Sequence, residues 1–286
     1  MKVGIIGAGA WGSALGTIVA DSGNDVLLWS FCGDYKDFGK TYANLRVTSN
    51  MASVADTDVW ILVTPASFFR ETLQNAKTYY KNQPIIICTK GAEVVSGSCM
   101  SEIVADVLPD AQNVGVLSGP QFAIEVANGV PTGSTIAGND VVQDCAHIIF
   151  KNLYLSDSDD IIGTQLCGIG KNAVALIAGY NSVVARGENE RAMIFTRAWC
   201  EVIKLGLAMG AKIETFSDLC GIGDLFLSAT SVTSRNFSGG ISIAHGEDLN
   251  GTIEGLYALS ALIKRAEQNG VATPILCEMR DRMQIK

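Results

Sequence analysis

Lys171 has the sequence surroundings best suited to proton transfer. It lies in GIGKNAVALIAG, a helical pattern in which most of its neighbours are small or apolar. Burial of an ammonium group in such surroundings lowers its pKa toward the range in which a lysine acts as a general acid or base. A lysine whose carbon stem covers apolar surface while its head reaches water has the same spacing. Spacing alone leaves both interpretations open.

Other polar side chains could bind an anionic ligand. Lys90 ends a buried apolar run, and Asp224 in CGIGDLFLS is an acid among apolar residues and glycines, where a carboxylate needs a cation, a donor or a helix-capping role. The tripeptide Ser234, Arg235 and Asn236 is followed by two glycines, a pattern that predicts a flexible turn. Its hydroxyl, guanidinium and amide suit phosphate oxygens, although a surface lysine and an ordinary polar loop would give the same patterns.

A glycine fingerprint at the start of the chain predicts a dinucleotide site. Val3, Ile5 and Ile6 form an apolar run, and Gly7, Gly9 and Gly12 then supply G-x-G-x-x-G ahead of a helical pattern. Strand, turn and helix in this order let a pyrophosphate approach the backbone at a helix N-terminus, whereas a purely structural turn needs no such context.

The elements that must position these residues fall into two patterns. Buried apolar runs alternate with amphipathic helices up to about residue 163, which predicts an α/β domain over residues 1–163 built on a doubly wound parallel sheet of Rossmann type. Residues 32–56 are expected to form a loop with one short helix. Long helical periods follow, so an all-helical domain is predicted over 164–286, with chemistry expected in the cleft between the domains. The strand-like runs are 26–29, 59–64, 85–89, 114–117 and 132–137.

Composition excludes several classes of protein. The 286 residues are 48% hydrophobic and 17% charged, and the net charge of −8 argues against a nucleic-acid partner. No apolar run of about 18 residues is evident, so stable membrane insertion is not expected, and the N-terminus is expected to be retained. The eight scattered cysteines are typical of reduced core thiols in a cytoplasmic protein. With His147 expected in the core and His245 at the surface, no metal site is predicted.

The choice of cofactor is left open by the end of the second strand. An acid there selects NAD, and an arginine favours the additional phosphate of NADP, but Ser30 and Phe31 occupy this place. Asp34 is the nearest acid, and a solvated loop carboxylate would look the same.

Taken together, the segments resemble the NAD(P)-dependent glycerol-3-phosphate dehydrogenase family, whose members interconvert dihydroxyacetone phosphate and sn-glycerol 3-phosphate. The resembling stretches occur in the family's order: GAGAWGSAL, TKGAE, LSGPQFAIEVANG, GIGKNAVALIAG, ENERAMIFTRAWCEVIKLGLAMGA, TFSDLCGIGDLFLSATSVTSRN and IEGLYAL. The resemblance implies hydride transfer between NAD or NADP and a small phosphorylated substrate, supply of glycerol 3-phosphate for phospholipid synthesis, a cytoplasmic location and a homodimer.

The resemblance also assigns roles to residues of this chain. It makes Lys171, Lys90 and Asp224 catalytic, with Lys171 as proton donor and acceptor and Asp224 setting its charge and position. The implied substrate-binding residues are Lys90, Gly119, Gln121, Lys171, Asp224, Ser234, Arg235 and Asn236. The implied cofactor-binding residues are Gly7, Gly9, Ala10, Trp11, Gly12, Phe31, Lys90, Ala123, Arg235, Thr252 and Glu254.

Two departures from the family pattern bear on ligand binding. The segment after the second strand is shorter and lacks the family's Asn-x-x-Tyr-Leu-Pro signature, and Gln121 stands where a serine or threonine is usual. Two alternatives therefore stand beside the dehydrogenase: a related two-domain NAD(P)-dependent reductase of another small ketone, and a dinucleotide-binding protein without turnover.

Overall fold

The computed structural model describes residues 1–249 and 251–285 and divides the chain into two compact units. The first unit comprises Met1–Lys90 and Met100–Ile161, and the second comprises Gly91–Cys99 and Ile162–Lys286. The short segment Gly91–Cys99 joins the second unit because Ala92 and Cys99 are buried in its apolar core. No sequence pattern indicated that this segment belongs to the second unit.

The first unit is built on an eight-stranded sheet whose order is β3-β2-β1-β4-β5-β6-β7-β8. Neighbouring strands are parallel except β6 and β7, which are antiparallel, so the predicted parallel sheet is confirmed with the exception of this pair. The link between them holds one five-residue helix, which is too short to carry the chain back along the sheet before β7 begins. The strands are β1 Lys2–Ile6, β2 Asp25–Trp29, β3 Leu45–Thr48, β4 Val59–Leu62, β5 Ile85–Ile87, β6 Val114–Ser118, β7 Gly133–Ala137 and β8 Tyr154–Ser158.

Helices cover both faces of this sheet, which confirms the doubly wound arrangement. Alternate strand residues enter different cores: Ile5 and Ile61 pack with α1, α4 and α5, whereas Ile6 and Leu62 pack with α2 and α3. The helices are α1 Ala10–Asp21, α2 Ala66–Ala76, α3 Met100–Val107, α4 Ala123–Ala127 and α5 Asp140–Ile149.

The two edge strands were not predicted from the sequence. β3 lies within residues 32–56, where a loop with one short helix was expected, and the short 3-10 helix Met51–Asp56 follows it. β8 forms the opposite edge of the sheet. Residues of both strands are partly exposed, and β8 reads YLSDS. Edge strands are accessible to water, so they lack the continuous apolar run that identifies a central strand.

The second unit is helical, as predicted, and packs around one long helix, α6. In α6, 78% of the most apolar 18-residue window is buried, so its apolar character reflects its central place. The expectation that no apolar stretch reaches membrane-spanning length is therefore wrong, although core helices pass the same length test. The helices are α6 Ile161–Val184, α7 Glu188–Ala208, α8 Asp224–Thr230, α9 Arg235–His245, α10 Glu254–Gln268 and α11 Pro274–Arg282.

Close backbone contacts at glycines fix α9 and α10 against α6. A Cβ at Gly179 would lie 1.9 Å from the carbonyl oxygen of Phe237, and one at Gly240 would lie 2.1 Å from that of Leu176. A Cβ at Gly255 would lie 2.6 Å from the carbonyl oxygen of Asn172. The two glycines after the Ser-Arg-Asn tripeptide therefore lie inside a helix rather than in a flexible turn.

A buried carboxylate holds the last helix. Glu201 on α7 is 4% exposed, and its two oxygens accept hydrogen bonds from the backbone N–H groups of Ile275 and Leu276, both at 2.9 Å. These N–H groups belong to the first turn of α11, where a helix has no acceptors of its own and favours negative charge.

Several side chains differ from the sequence expectation. His147 is not in the core: it lies on the outer face of α5, about half exposed, with its ring 2.8 Å from the Asp157 carboxylate. All eight cysteines are free, but Cys32 and Cys200 are exposed rather than buried. Among the residues that the structure describes, no three His, Cys, Asp or Glu side chains are grouped closely enough to hold a metal ion.

Replacement of Gly240 by alanine is expected to lower the free energy of unfolding by about 1–3 kcal/mol, the usual cost of overpacking. The new Cβ would meet backbone, which cannot yield without separating α9 from α6. The control is Gly239→Ala, whose Cβ meets side-chain atoms of Ile253 at 3.0–3.2 Å and also improves helix propensity. Chemical denaturation of both variants measures the difference, and a Gly240→Ala protein as stable as the control would contradict the proposed contact.

Candidate functional site

The turn after β1 requires two of its three glycines for the fold itself. Gly7 has a φ of +121°, and a Cβ there would lie 2.8 Å from the backbone nitrogen of Thr64 after β4. A Cβ on Gly12 would lie 1.9 Å from the carbonyl oxygen of Gly7. β1 and β4 are also where the strand order reverses, and ligands of doubly wound sheets bind beside such a point.

Gly9 differs from these two because the protein does not fill the space beside it. No heavy atom lies within 4 Å of a Cβ built there, and Gly9 is the N-cap of α1 with no capping side chain. The first N–H groups of α1, including those of Ala10 and Trp11, therefore face open space at the positive end of a helix. These features fit the pyrophosphate of a dinucleotide.

Two other predicted cofactor residues lie in the same unit. Phe31 follows β2 closely, and the residue is 85% exposed, so its aromatic side chain is accessible to a ligand. Ala123 is the first residue of α4 and packs, as Trp11 does, against the core beneath α1. The indole Nε1 of Trp11 is buried and has no hydrogen-bond partner.

Lys90 and Gly119 are brought together by adjacent strand ends. β5 and β6 are parallel neighbours, and the ammonium of Lys90 donates to the carbonyl oxygen of Gly119 at 2.8 Å. A side chain at position 119 would collide with the carbonyl oxygen of Gly133 at 2.6 Å. Burial raises the pKa of the neighbouring Cys88 thiol far above its usual value, although Lys90 lowers it to a lesser degree, so this thiol remains neutral.

Gln121 presents an unsatisfied polar group two residues after Gly119. Both its Oε1 and Nε2 atoms are buried, and neither has a hydrogen-bond partner. Most buried polar atoms in proteins are hydrogen-bonded, so an amide without partners is suited to a ligand or a bound water.

Lys171, Asp224 and Ser228 form a closed triangle in the second unit. The Lys171 Nζ atom lies 3.2 Å from Asp224 Oδ1 and donates to Ser228 Oγ at 2.9 Å, and Ser228 Oγ donates to Asp224 Oδ1 at 3.3 Å. The Asp224 side chain is 1% exposed and that of Lys171 is 13% exposed. A pair this well shielded from water interacts more strongly than a surface pair and holds the ammonium in one position.

A π-helical turn positions Asp224. Leu219–Gly223 form this turn, and Asp224 follows as the first residue of α8, where the helix dipole favours a carboxylate. A Cβ at Gly221 would lie 2.3 Å from the carbonyl oxygen of Phe216, and Phe216 in turn packs edge-on against Trp199 with ring centroids 5.9 Å apart. The turn is thus fixed by packing on α7.

A second buried network begins one residue after Lys171. Asn236 donates to Asn172 Oδ1 at 2.8 Å and accepts from the backbone N–H of Gly255 at 2.8 Å, while Asn172 donates to Glu254 Oε2 at 3.2 Å. Ser234 caps α9 by accepting from the N–H of Phe237 at 3.4 Å. The tripeptide is therefore a helix start, and two of its three side chains bond within the protein.

Arg235 and Thr252 lie apart from these networks. Both are exposed, Arg235 as the first residue of α9 and Thr252 shortly before α10.

Sequence reasoning missed Ser228 and Asn172. Ser228 is four residues after Asp224, a spacing that places both on one face of a helix and could have identified it. Asn172 directly follows Lys171, and its buried amide is apparent only once α9 and α10 are packed on α6.

Family models match nearly the whole chain. The model described as NAD-dependent glycerol-3-phosphate dehydrogenase N-terminus matches residues 2–37 and 34–143, and the corresponding C-terminus model matches residues 160–283. These matches cover both the glycine turn and the Lys171 triangle.

Individual relatives agree with the family models. The chain is 35% identical to glycerol-3-phosphate dehydrogenase [NAD(P)+] of Parvibaculum lavamentivorans over 96% of this chain and 89% of that protein, and 33% identical to the enzyme of the same description from Erythrobacter litoralis over 96% and 89%. The crystal structure of glycerol-3-phosphate dehydrogenase from Coxiella burnetii matches with a TM-score of 0.90 at 28% identity, covering 99% of this chain and 94% of that one. The chain therefore belongs to the NAD-dependent glycerol-3-phosphate dehydrogenase family.

Proposed function

We propose that this protein interconverts dihydroxyacetone phosphate and sn-glycerol 3-phosphate with NAD or NADP. The observation that carries the proposal is the largely buried side chain of Lys171, whose ammonium lies 2.9 Å from Ser228 Oγ and 3.2 Å from Asp224 Oδ1 in a chain of this family. A proton donor held this way suits the reduction of a ketone, in which the carbonyl oxygen acquires a proton as its carbon acquires hydride.

The bound nicotinamide supplies the hydride. Gly7, Gly9, Gly12 and the first N–H groups of α1, those of Ala10 and Trp11, would hold the pyrophosphate, and the exposed Phe31 would contact the adenosine end. Lys90, Ala123, Arg235, Thr252 and Glu254 complete the proposed cofactor-binding set.

Lys171 acts as the acid in ketone reduction and as the base in the reverse direction. Its ammonium transfers a proton to the alkoxide oxygen that forms on the substrate, while Asp224 compensates the positive charge. Ser228 accepts from the ammonium and donates to Asp224, so it fixes the direction in which the ammonium points. Proton transfer by a positioned group contributes a factor of about 10²–10⁴ in rate.

The proposed substrate residues fall into direct and indirect groups. Lys90, Arg235 and Gln121 offer a cation, a guanidinium and an unsatisfied amide to phosphate and hydroxyl oxygens, and the carbonyl oxygen of Gly119 holds the Lys90 ammonium in place. The polar groups of Ser234 and Asn236 bond within the protein, so we assign them the positioning of Arg235 at the start of α9.

The physiological role proposed here follows from the product. Glycerol 3-phosphate carries the three-carbon backbone of phospholipids, so the enzyme would supply lipid synthesis from the cytoplasm. We also propose that it acts as a homodimer, by analogy with the family; light scattering of the purified protein measures the mass of the assembly.

Removal of the proton donor should abolish turnover without removing cofactor binding. Lys171→Ala is expected to lower kcat by about 10²–10⁴. Because this variant leaves the buried Asp224 carboxylate without its cation, Lys171→Arg is the more decisive test: it keeps a charged partner but does not release a proton near neutral pH. Lys204→Ala, which removes an exposed lysine from α7, is the matched control.

Circular dichroism and NADH fluorescence report folding and cofactor binding in all three proteins. Nearly full activity in Lys171→Arg would reject the assignment of Lys171 as acid and base.

The substrate is identified by its phosphate. Oxidation of the reduced nicotinamide should be fast with dihydroxyacetone phosphate and at least about tenfold slower with dihydroxyacetone, because a charge-assisted hydrogen bond to phosphate contributes about 1.5–3 kcal/mol. Absorbance of the reduced nicotinamide measures both rates. Equal rates would favour a reductase of another small ketone, and cofactor binding without any oxidation would favour a binding protein without turnover.

A further inference from the structure

We propose that Asp34 makes this chain select NADH over NADPH. The inference deepens the proposed function, because it concerns the adenosine end of the same cofactor site. It rests on the position of the Asp34 carboxylate in the structure. From the sequence alone, Asp34 could have been either a cofactor contact or a solvated loop residue.

The carboxylate of Asp34 is held at the carboxyl end of β2. Ser30 is the first residue after this strand and is 7% exposed, and its hydroxyl donates to Asp34 Oδ1 at 3.2 Å. The chain turns back between them: Gly33 has a φ of +77°, and its N–H donates to the carbonyl oxygen of Ser30 at 3.2 Å. Asp34 therefore lies beside the strand end although it is five residues beyond it in sequence.

This is the place where a doubly wound fold distinguishes the two cofactors. β2 is the neighbour of β1, and the acid that accepts hydrogen bonds from the adenosine ribose normally stands at its end, about 20 residues after the glycines. Asp34 is 22 residues after Gly12. A carboxylate here accepts from ribose hydroxyls, whereas a 2′-phosphate would bring like charge against it.

The lysine and arginine residues near Asp34 do not offset its preference for NADH. Lys40 pairs with Asp21 at the far end of α1, 3.5 Å away, and Arg46 pairs in register with Leu27, two residues before the end of β2. Lys36 is nearer: its backbone N–H donates to Ser13 Oγ on α1, and its side chain is exposed. A solvated ammonium contributes little beside a carboxylate that bonds the ribose directly.

The test is direct binding, which does not depend on turnover. Isothermal titration calorimetry with NADH, NADPH, ADP-ribose and 2′-phospho-ADP-ribose should show the ligands without the 2′-phosphate binding at least about tenfold more tightly, as a hydrogen bond to a charged group implies. In Asp34→Asn the ratio should fall to about threefold or less, chiefly because the phosphorylated ligands bind more tightly. Ser30→Ala, which releases the carboxylate from the strand end, should give an intermediate ratio.

Asp25→Asn is the matched control. Asp25 is exposed at the opposite end of the same strand, so this variant makes the same change of net charge away from the ribose. Its binding ratio should equal that of the wild type, and the wild-type ratio should decrease with rising salt, because repulsion between exposed charges is screened.

The outcomes separate the two proposals. Wild-type protein that binds the 2′-phosphorylated ligands as tightly as the others, or an Asp25→Asn ratio that falls as far as that of Asp34→Asn, overturns the role of Asp34 and leaves the dehydrogenase function intact. Absence of binding by all four ligands overturns the cofactor site itself.

Discussion

A carboxylate that is 1% exposed requires partners within the protein, and Asp224 finds them in Lys171 and Ser228. This ion pair constrains the second unit, because charges shielded from water are costly unless an opposite charge stays close to them. α6 and α8 must therefore keep a fixed separation. The π-helical turn before Asp224 and the aromatic contact of Phe216 with Trp199 meet this requirement from the side of α7.

The same helix that carries Lys171 also organises its neighbours. α6 contacts α9 and α10 through glycines so closely that backbone meets backbone, and the Asn172 network joins the first turns of α9 and α10 one residue beyond the lysine. Polar networks with satisfied partners specify one arrangement of a core more strictly than apolar contacts do. The packing that fixes Lys171 on α6 therefore also fixes Arg235 at the start of α9.

The sequence predicts most of the fold because buried strands and amphipathic helices have different periods. It misses β3 and β8 at the exposed edges and the reversed direction of β7, which follows from the shortness of the helix between β6 and β7. In the candidate site, the glycine turn is formed by residues close together in the chain, so the sequence alone can identify it. Lys171 and Asp224 are far apart in the chain, and spacing alone could not show that they meet. Gly239 and Gly240 were interpreted as a turn. Their role in close helix packing depends on residues distant in the chain, so the local sequence does not reveal it.

The contrast among the three N-terminal glycines has a consequence for the evolution of related chains. Gly7 and Gly12 are demanded by neighbouring backbone, whereas nothing in the protein crowds the position of Gly9. A descendant that abandoned nucleotide chemistry could accept a larger residue at the middle position while conserving the outer two. A related protein that keeps Gly7 and Gly12 but has a larger residue in place of Gly9 would thus be expected to keep the fold without binding the nucleotide.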